Sequence, residues 1–329
     1  MRKPLITVVV NVHNGERYVL ECLESILQLN GEYPLQVIVF DDASTDGTEA
    51  VVRSVMDPRI EYIRLDKNIG AAAAINLAFK YVRGEYVARI DYDDVYHKNF
   101  LIDSMELLEM FPEAAFVCGA IRMIDCDGQA AGVAGPASYG QDTGVRDRFL
   151  DLLKHNFVSA PTILGRTKCW QQALPVPAGL NFCDWYMNLC MAEQAPFGVI
   201  DKVVADYRVH PLNMHSTNVI DRTGEDITFR VLTRFLVNTH RQSEVSRHSR
   251  MILAKHFGDW GDRYFGMRMN ADALRCYLTA LQKDPRLMWR GTFMHRAIGV
   301  MLGRQRYERL KSFIQTVSRL RSANTEISR

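Results

Sequence analysis

Asp91-Tyr92-Asp93-Asp94 puts three carboxylates within four residues, directly after the strand-like run Tyr86 to Ile90. Carboxylates this close repel one another unless a cation or a proton neutralises them. Hard oxygen ligands suit Mg2+ or Mn2+, ions that keep coordination positions open for substrate phosphates. The alternative is an N-terminal cap cluster for the helix that opens near Lys98. Three further polar groups stand where strand-like runs end: His13-Asn14, Asp41-Asp42 and Asn68-Ile69-Gly70. The seven cysteines are odd in number and scattered, and no pair has the two-residue gap of a zinc or redox motif. They read as reduced, small hydrophobic residues.

The elements that must position these residues follow from hydrophobic spacing. Leu5 to Val12 and Leu35 to Phe40 are continuous apolar runs rich in β-branched residues, the pattern of strands buried on both faces. Ile60 to Leu65 and Tyr86 to Ile90 read as the third and fourth strands. Between them, Tyr18, Val19, Cys22, Leu23, Ile26 and Leu27 recur at helical spacing, with Asn14 as the expected N-cap. Asp46-Gly47-Thr48-Glu49 opens the next helix as an Asp-x-x-Glu variant of the capping box. Ile75, Ala78, Phe79 and Val82 mark a third helix. Strands alternating with helices imply an α/β fold with a largely parallel sheet. Ligands in such sheets sit beyond the carboxyl ends of the strands, so the four polar clusters are expected to converge on one rim. Asp125 to Thr143 is rich in Gly and Ala and reads as a long flexible loop. From Asp226 onward the strand pattern gives way to helix.

Composition narrows the function classes. The 329 residues are 47% hydrophobic and 24% charged, with a formal net charge of +2. That is ordinary for a globular protein and excludes collagen, coiled coil and general disorder. No apolar run reaches the ~18 residues of a membrane-spanning helix. Met1-Arg2-Lys3-Pro4 leads straight into strand-like sequence, leaving no room for a signal peptide. Charge is unevenly placed: residues 286–329 carry ten Lys and Arg against two acids, net +8, so the remainder carries −6. The near-neutral total and the lack of a recognisable nucleic-acid motif argue against nucleic acid as a partner. No G-x-G-x-x-G follows the first strand, which argues against a dinucleotide oxidoreductase.

The ordered set of motifs resembles the family 2 glycosyltransferases of GT-A fold over about the first 215 residues. The set comprises the opening strand with His13-Asn14, then Val39-Phe40-Asp41-Asp42-Ala43-Ser44-Thr45-Asp46, then Asn68-Ile69-Gly70 with Asn76. Arg89-Ile90-Asp91-Tyr92-Asp93-Asp94, Cys183-Asp184-Trp185 and Tyr207-Arg208-Val209-His210-Pro211 complete it. The resemblance implies a GT-A (Rossmann-like) mixed sheet flanked by helices, followed by an α-helical C-terminal region. It implies a catalytic domain over 1–220 and a helical domain over 221–329. It also implies transfer of a sugar, with inversion, from a nucleotide-sugar donor such as a UDP-sugar to a hydroxyl of a glycan or lipid-linked acceptor. The setting would be assembly of surface polysaccharide or glycoconjugate.

Residue by residue, the resemblance makes Asp42 the acceptor for the uracil N3–H, with Asp41 as the alternative. His13 takes the place of an aromatic residue against the base, beside Asn14. Asn68 and Gly70 match a loop near the nucleotide, where a glycine permits close backbone approach. Asp93 would ligate Mn2+ or Mg2+ directly, with Asp91 nearer the ribose or a metal-bound water and Asp94 assisting either the metal or the sugar. His210 would bind the metal or a phosphate, with His215 in reserve. Arg208 would pair with a phosphate or with a core carboxylate. Asp184 matches the general base, and alternatively caps its own helix. Two departures touch acceptor binding: Cys183 stands where the family usually has Glu, and Cys190 near a frequent Arg. Trp185 reads as core packing, with contact to an acceptor sugar as the second reading.

In the C-terminal region, Gly261, Tyr264, Ala273, Tyr277, Ala280 and Pro285 fit the spacing of one tetratricopeptide-like helix pair. The basic stretch 286–329 interleaves apolar residues among its arginines. It reads as an amphipathic helix with a solvated basic face, or as one lying on an anionic membrane surface or glycan. The expected location is cytoplasmic, with the second reading adding attachment at the inner face of the cell membrane. Two rival functions remain: a non-catalytic sugar-nucleotide-binding or scaffolding protein, and a nucleotidyltransferase of similar fold. The second usually carries a Gly-rich, basic phosphate loop after the first strand, where this chain has Val12-His13-Asn14-Gly15-Glu16-Arg17.

Overall fold

The computed structural model describes residues 3–180, 183–210, 219–289 and 291–302. The expectations placed on His215 and on residues 303–329 of the basic stretch lie outside these. The described residues form two compact units. The first comprises residues 1–216 with Asp226–Arg241, and the second comprises 217–225 with 242 onward.

The first unit is built on ten strands. Four of them, β1 (Ile6–Val12), β2 (Leu35–Asp41), β3 (Ile60–Arg64) and β4 (Tyr86–Asp91), run parallel. The others are β5 (Val95–Tyr96), β6 (Phe116–Ile124), β7 (Ala130–Ala134), β8 (Gly144–Arg146), β9 (Leu164–Arg166) and β10 (Phe197–Arg208). The sheet order is β3-β2-β1-β4-β9-β6-β10-β5, with β7 on β6 and β8 on β10. Antiparallel β9 joins the parallel half to β6 and β10, which makes the sheet mixed. This is the GT-A-like α/β architecture, with helices packed on the sheet and a helical region after it.

β1 holds the centre because its residues suit burial on both sides. Ile6, Val8, Val10 and Val12 pack with Val19, Cys22, Leu23 and Ile26 of α1 (Val19–Leu27). Helix α2 (Thr48–Ser54) follows β2, and α3 (Ala71–Ala78) follows β3. Phe100, Leu101, Met105 and Leu108 of α4 (Phe100–Met110) extend the same core. The register pairs Asn11 with Asp91 and Val12 with Asp41, so β1, β2 and β4 end level with one another.

Three local expectations are corrected. The segment 125–143 is not a loop throughout. β7 pairs antiparallel with β6, and Pro136–Tyr139 forms a 3-10 turn. Buried Arg148 then donates to the carbonyls of Asp142, Gly144 and Phe197 at 2.7, 3.0 and 2.9 Å. Asn14 does not cap α1, which begins after Tyr18 with no side-chain cap. Asn14 instead takes φ +55° and accepts Thr45 N–H at 2.8 Å. The expected reciprocal capping box is half made. Asp46 Oδ1 accepts Thr48 N–H at 3.1 Å, while Glu49 turns outward to Arg53.

The rest of the unit comprises α5 (Phe149–Lys154), α6 (Thr167–Gln172), α7 (Cys183–Gln194) and the residues from Asp226 of α8 (Thr223–Val237). In the second unit, α9 (Gln242–Gly266) packs on α10 (Asn270–Lys283), followed by α11 (Gly291–Leu302). Gly261 sets their spacing, because a Cβ there would meet the Tyr277 ring at 2.7 Å. Buried Glu225 accepts the Tyr264 hydroxyl at 2.6 Å and Arg275 at 2.9 and 2.6 Å.

Asn76 of α3 clamps the backbone of Val176, accepting its N–H at 2.8 Å and donating to its carbonyl at 2.9 Å. Val176 is buried, so truncation leaves two backbone groups without partners. Asn76→Ala is expected to lower stability by about 2 kcal/mol. Urea unfolding checks this, and a loss below about 0.5 kcal/mol would contradict the clamp.

Candidate active site

The site grows from a turn. β4 delivers Asp91 to the rim, and Asp94 N–H donates back to Asp91 O at 3.1 Å. The chain then enters β5, which pairs antiparallel with β10. That pairing returns the end of β10 beside the acids. His210 Nε2 lies 2.9 Å from Asp93 Oδ2, with both side chains almost fully buried. Arg208 N–H donates to Asp94 Oδ1 at 3.0 Å, and its Nε donates to Asp93 O at 2.9 Å. No acid of the turn caps α4, which begins at Phe100 after Asn99.

Burial and mutual repulsion govern this turn. Burial first, then the Asp91 charge, hold the Asp93 carboxyl above its ordinary range despite His210. Burial and then Asp93 and Asp91 push Asp94 well above that range. Asp94 Oδ2 is buried and has no hydrogen-bond partner among the described residues. Burial pushes the Tyr92 hydroxyl up to about 12, and Tyr207 is also raised by burial and then by Asp94, Asp91, Asp93 and Asp184. Burial alone would lower the Arg89 pKa, but Asp91, Cys183, Asp184 and Asp94 reverse this and hold it up.

Hydrogen bonds join the other strand ends to this turn. His13 is exposed, with Nδ1 2.9 Å from Asp42 O. Asn14 N–H donates to Ser44 Oγ at 2.8 Å. A Cβ on Gly15 would meet Tyr92 at 2.7 Å, so the bare backbone lets the middle of the acid turn lie against the end of β1. Asp41 is fully buried and committed. It accepts Ser44 N–H at 2.7 Å and the Tyr62 hydroxyl at 2.5 Å. Asp42 accepts Ile69 N–H at 2.8 Å and Gly70 N–H at 2.9 Å, one on each oxygen. Each Asp42 oxygen retains a lone pair, so it can pin this loop and still accept a further donor. Asn68 Oδ1 accepts Gly70 N–H at 3.1 Å, and Gly70 has φ +82°, a conformation that favours glycine.

Arg208 is buried, and a partner at its guanidinium is a surface carboxylate. Its guanidinium donates to Glu21 at 2.6 Å and lies 4.6 Å over the Tyr18 ring. Asp184 lies in the first turn of α7, half-buried, and shares Arg89 and Tyr207 as electrostatic neighbours with the acid turn. Trp185 points into the core, where its Nε1 donates to Leu152 O at 3.0 Å.

Among the described residues, no group of three or more His, Cys, Asp or Glu side chains could hold a metal by itself. The site does offer carboxylates and one imidazole, with an orphaned buried oxygen on Asp94 and carboxyls that repel one another. That set suits Mg2+ or Mn2+ held partly by phosphate oxygens and water. Asp93 would hold it, with His210 and Asp91 adjoining.

The model of "Glycosyl transferase family 2" matches residues 7–168. The putative teichuronic acid biosynthesis glycosyltransferase TuaG of Bacillus subtilis (strain 168) is 30% identical over 208 residues, covering 58% of this chain and 79% of TuaG. The chain belongs to glycosyl transferase family 2. Uncharacterized relatives from Mycobacterium tuberculosis are 27% identical over 214 residues, and the match spans 60% of their length. Among solved structures, S. aureus TarS 1-349 in complex with UDP-GlcNAc has a TM-score of 0.57 at 18% identity, covering 91% of this chain and 92% of that one. The mannosyltransferase PcManGT from Pyrobaculum calidifontis, in complex with GDP-Man and Mn2+, has a TM-score of 0.54 at 18% identity, covering 91% and 86%. At such identities the structural likeness concerns the fold.

Within this family 2 chain, sequence reasoning gave no role to Arg89, Tyr18, Glu21 or Tyr207. Arg89 carried a signal, as a charge inside an otherwise apolar strand. Tyr207 opens the Tyr207-Arg208-Val209-His210-Pro211 motif, while nothing local distinguishes Tyr18 and Glu21 from other residues of the first helix.

Asp94 generates a test in metal-free protein. Its folded-state pKa is raised, so the fold retains a proton that the unfolded chain has lost. Its contribution to stability is therefore present at low pH and falls as pH rises through the folded-state value. Asp94→Asn keeps the acceptor for Arg208 and removes this loss. It is expected to melt above wild type at about pH 7, with the gap closing toward about pH 4. Thermal melts at both pH values check this, and a pH-independent gap would contradict it.

Proposed function

We propose that this chain is a metal-dependent glycosyltransferase that moves a sugar from a nucleotide-sugar donor, a UDP-sugar, to a hydroxyl of a glycan or lipid-linked acceptor. Inversion at the anomeric carbon is part of the reading, as is a role in surface polysaccharide or glycoconjugate assembly. The observation that carries it is the buried acid turn Asp91–Asp94, with His210 on Asp93, at the ends of the parallel strands of a family 2 chain. TuaG's teichuronic acid role, the UDP-GlcNAc of TarS and the GDP-Man and Mn2+ of PcManGT support the substrate class and the metal.

In this reading Asp42 accepts the uracil N3–H on a lone pair left beside its bonds to Ile69 and Gly70. His13 lies against the base, and Asn14 and the Asn68–Gly70 loop line the nucleoside. Mn2+ or Mg2+ bound at Asp93, with Asp91 and His210 adjoining, supplies neutralising charge for the diphosphate leaving group. Asp184 takes the proton from the acceptor hydroxyl. The hydroxyl oxygen bonds to the anomeric carbon, the bond to the phosphate oxygen breaks, and nucleoside diphosphate leaves. The sugar moved is a hexose. We assign catalysis to the first unit and read the second as a tetratricopeptide-like pair with a basic extension. Among the described residues, no helix is long and apolar enough to cross a membrane. A cytoplasmic location, with contact to an anionic surface through 286–329, completes the proposal.

The test is nucleoside diphosphate release from UDP-, GDP- and dTDP-sugars with Mn2+. Release is expected from a UDP-sugar, falling by about 10²-fold or more in Asp93→Ala and in Asp184→Asn. Binding without turnover would favour a sugar-nucleotide-binding protein. Pyrophosphate formed from a nucleoside triphosphate would indicate a nucleotidyltransferase.

A further inference from the structure

Tyr18 stands immediately before α1 and is only 9% exposed. Its hydroxyl reaches Cys126 O at 3.4 Å, well beyond the usual length of an O–H···O bond. The ring is the better used part of the side chain. The Arg208 guanidinium lies 4.6 Å from its centroid and the Arg17 guanidinium 5.0 Å. The His210 ring is 5.5 Å away and tilted by 30°. Cations are attracted to a ring face within about 6 Å, and aromatic pairs interact at about 4.5–7 Å. Each of these contacts falls inside those ranges.

Arg208 and His210 both come from the end of β10, and both reach the acid turn. His210 Nε2 is 2.9 Å from Asp93 Oδ2, and Arg208 Nε donates to Asp93 O at 2.9 Å. Another edge of the Arg208 guanidinium donates to Glu21, in the first turn of α1, at 2.6 Å. The start of α1 therefore meets the same two side chains that meet Asp93. An imidazole held to a carboxylate through one nitrogen can still turn about its side-chain bonds. A second ring packed against it removes that freedom.

We propose that Tyr18 is a positioning residue whose ring holds the His210 imidazole with Nε2 toward Asp93 and seats the Arg208 guanidinium that ties the same turn. The inference rests on the reading of Asp93 and His210 as the place of the divalent cation. Tyr18 acts through His210 and does not itself meet the ion or the donor. The ring, not the hydroxyl, does this, because the hydroxyl bond is long and the ring contacts are close.

The test measures binding rather than turnover. Mn2+ is titrated into protein with UDP present, free Mn2+ is followed by electron paramagnetic resonance, and UDP affinity is measured again after chelation. Tyr18→Leu is expected to weaken Mn2+ binding about tenfold, the scale for a residue that orients a histidine ligand, and to leave metal-free UDP affinity within about twofold of wild type. Tyr18→Phe keeps the ring and should stay within about twofold of wild type in both titrations. On a His210→Ala background, Tyr18→Leu should add little, since its effect passes through the missing imidazole. Tyr18→Met fills the space without a ring face and carries the test if Tyr18→Leu does not fold. Wild-type Mn2+ affinity in a folded Tyr18→Leu or Tyr18→Met, an equal loss in Tyr18→Phe, or an undiminished effect on the His210→Ala background would overturn the proposal. So would a metal-free UDP affinity that falls as far as the Mn2+ affinity, the mark of general damage. Wild-type protein that binds no Mn2+ with UDP would overturn the metal reading as well, whereas wild type that binds it and is indifferent to Tyr18 would overturn this inference alone.

Discussion

Asp93 and Asp94 are buried beside Asp91, and the rest of the first unit is arranged around making that tolerable. An isolated buried carboxylate is too costly to persist ionised. Here the cost is met locally by the Arg208 N–H on Asp94, His210 on Asp93 and Arg89 on Asp91. Each of these partners depends on topology. Arg208 and His210 arrive only because two-residue β5 turns the chain onto β10. Arg89 stands beneath Asp91 because both alternate onto one face of β4. The compensation is incomplete, since Asp93 and Asp94 keep raised pKa values and Asp94 keeps an orphaned oxygen. Burial and mutual repulsion thus make it costly to ionise both carboxyls at once without a further partner.

The β1 to β3 side of the rim follows a different logic. Asp41 is sealed into the fold, and Asp42 ties the loop after β3 while retaining acceptor capacity. Gly15 permits a close approach that a Cβ would block, and Gly70 supplies a backbone turn at φ +82°. The rim is therefore a hydrogen-bonded frame joined from β1 to β3, with the acid turn against it through Tyr92. Rigidity of this kind is what a binding rim needs to hold its groups in place.

Much of this was legible in the amino-acid pattern. Runs such as Ile6–Val12 and Leu35–Asp41 announce strands buried on both faces, and the acids that end β4 announce a rim. What escaped depends on distant partners. β7 consists of Ala, Ala, Gly, Val and Ala, residues with little strand preference as a group, and exists because β6 pairs with it. The contact of His210 with Asp93 spans 117 positions. Asn14 looked like a helix cap because Asn commonly is one, yet its neighbour Gly15 starts a turn and α1 begins only at Val19. Asp41 and Asp42 are adjacent and chemically identical in the sequence, and only the fold shows which groups each of them ties down.

The central claim is that the acid turn of this family 2 chain holds a divalent cation together with a nucleoside diphosphate. Calorimetric titration of UDP into wild-type protein, with Mn2+ and again after chelation, tests it most directly. The account predicts UDP affinity at least about tenfold tighter with Mn2+, since a cation held at Asp93 would offset the repulsion between the acids and the phosphates. Equal affinity in the two titrations would contradict it.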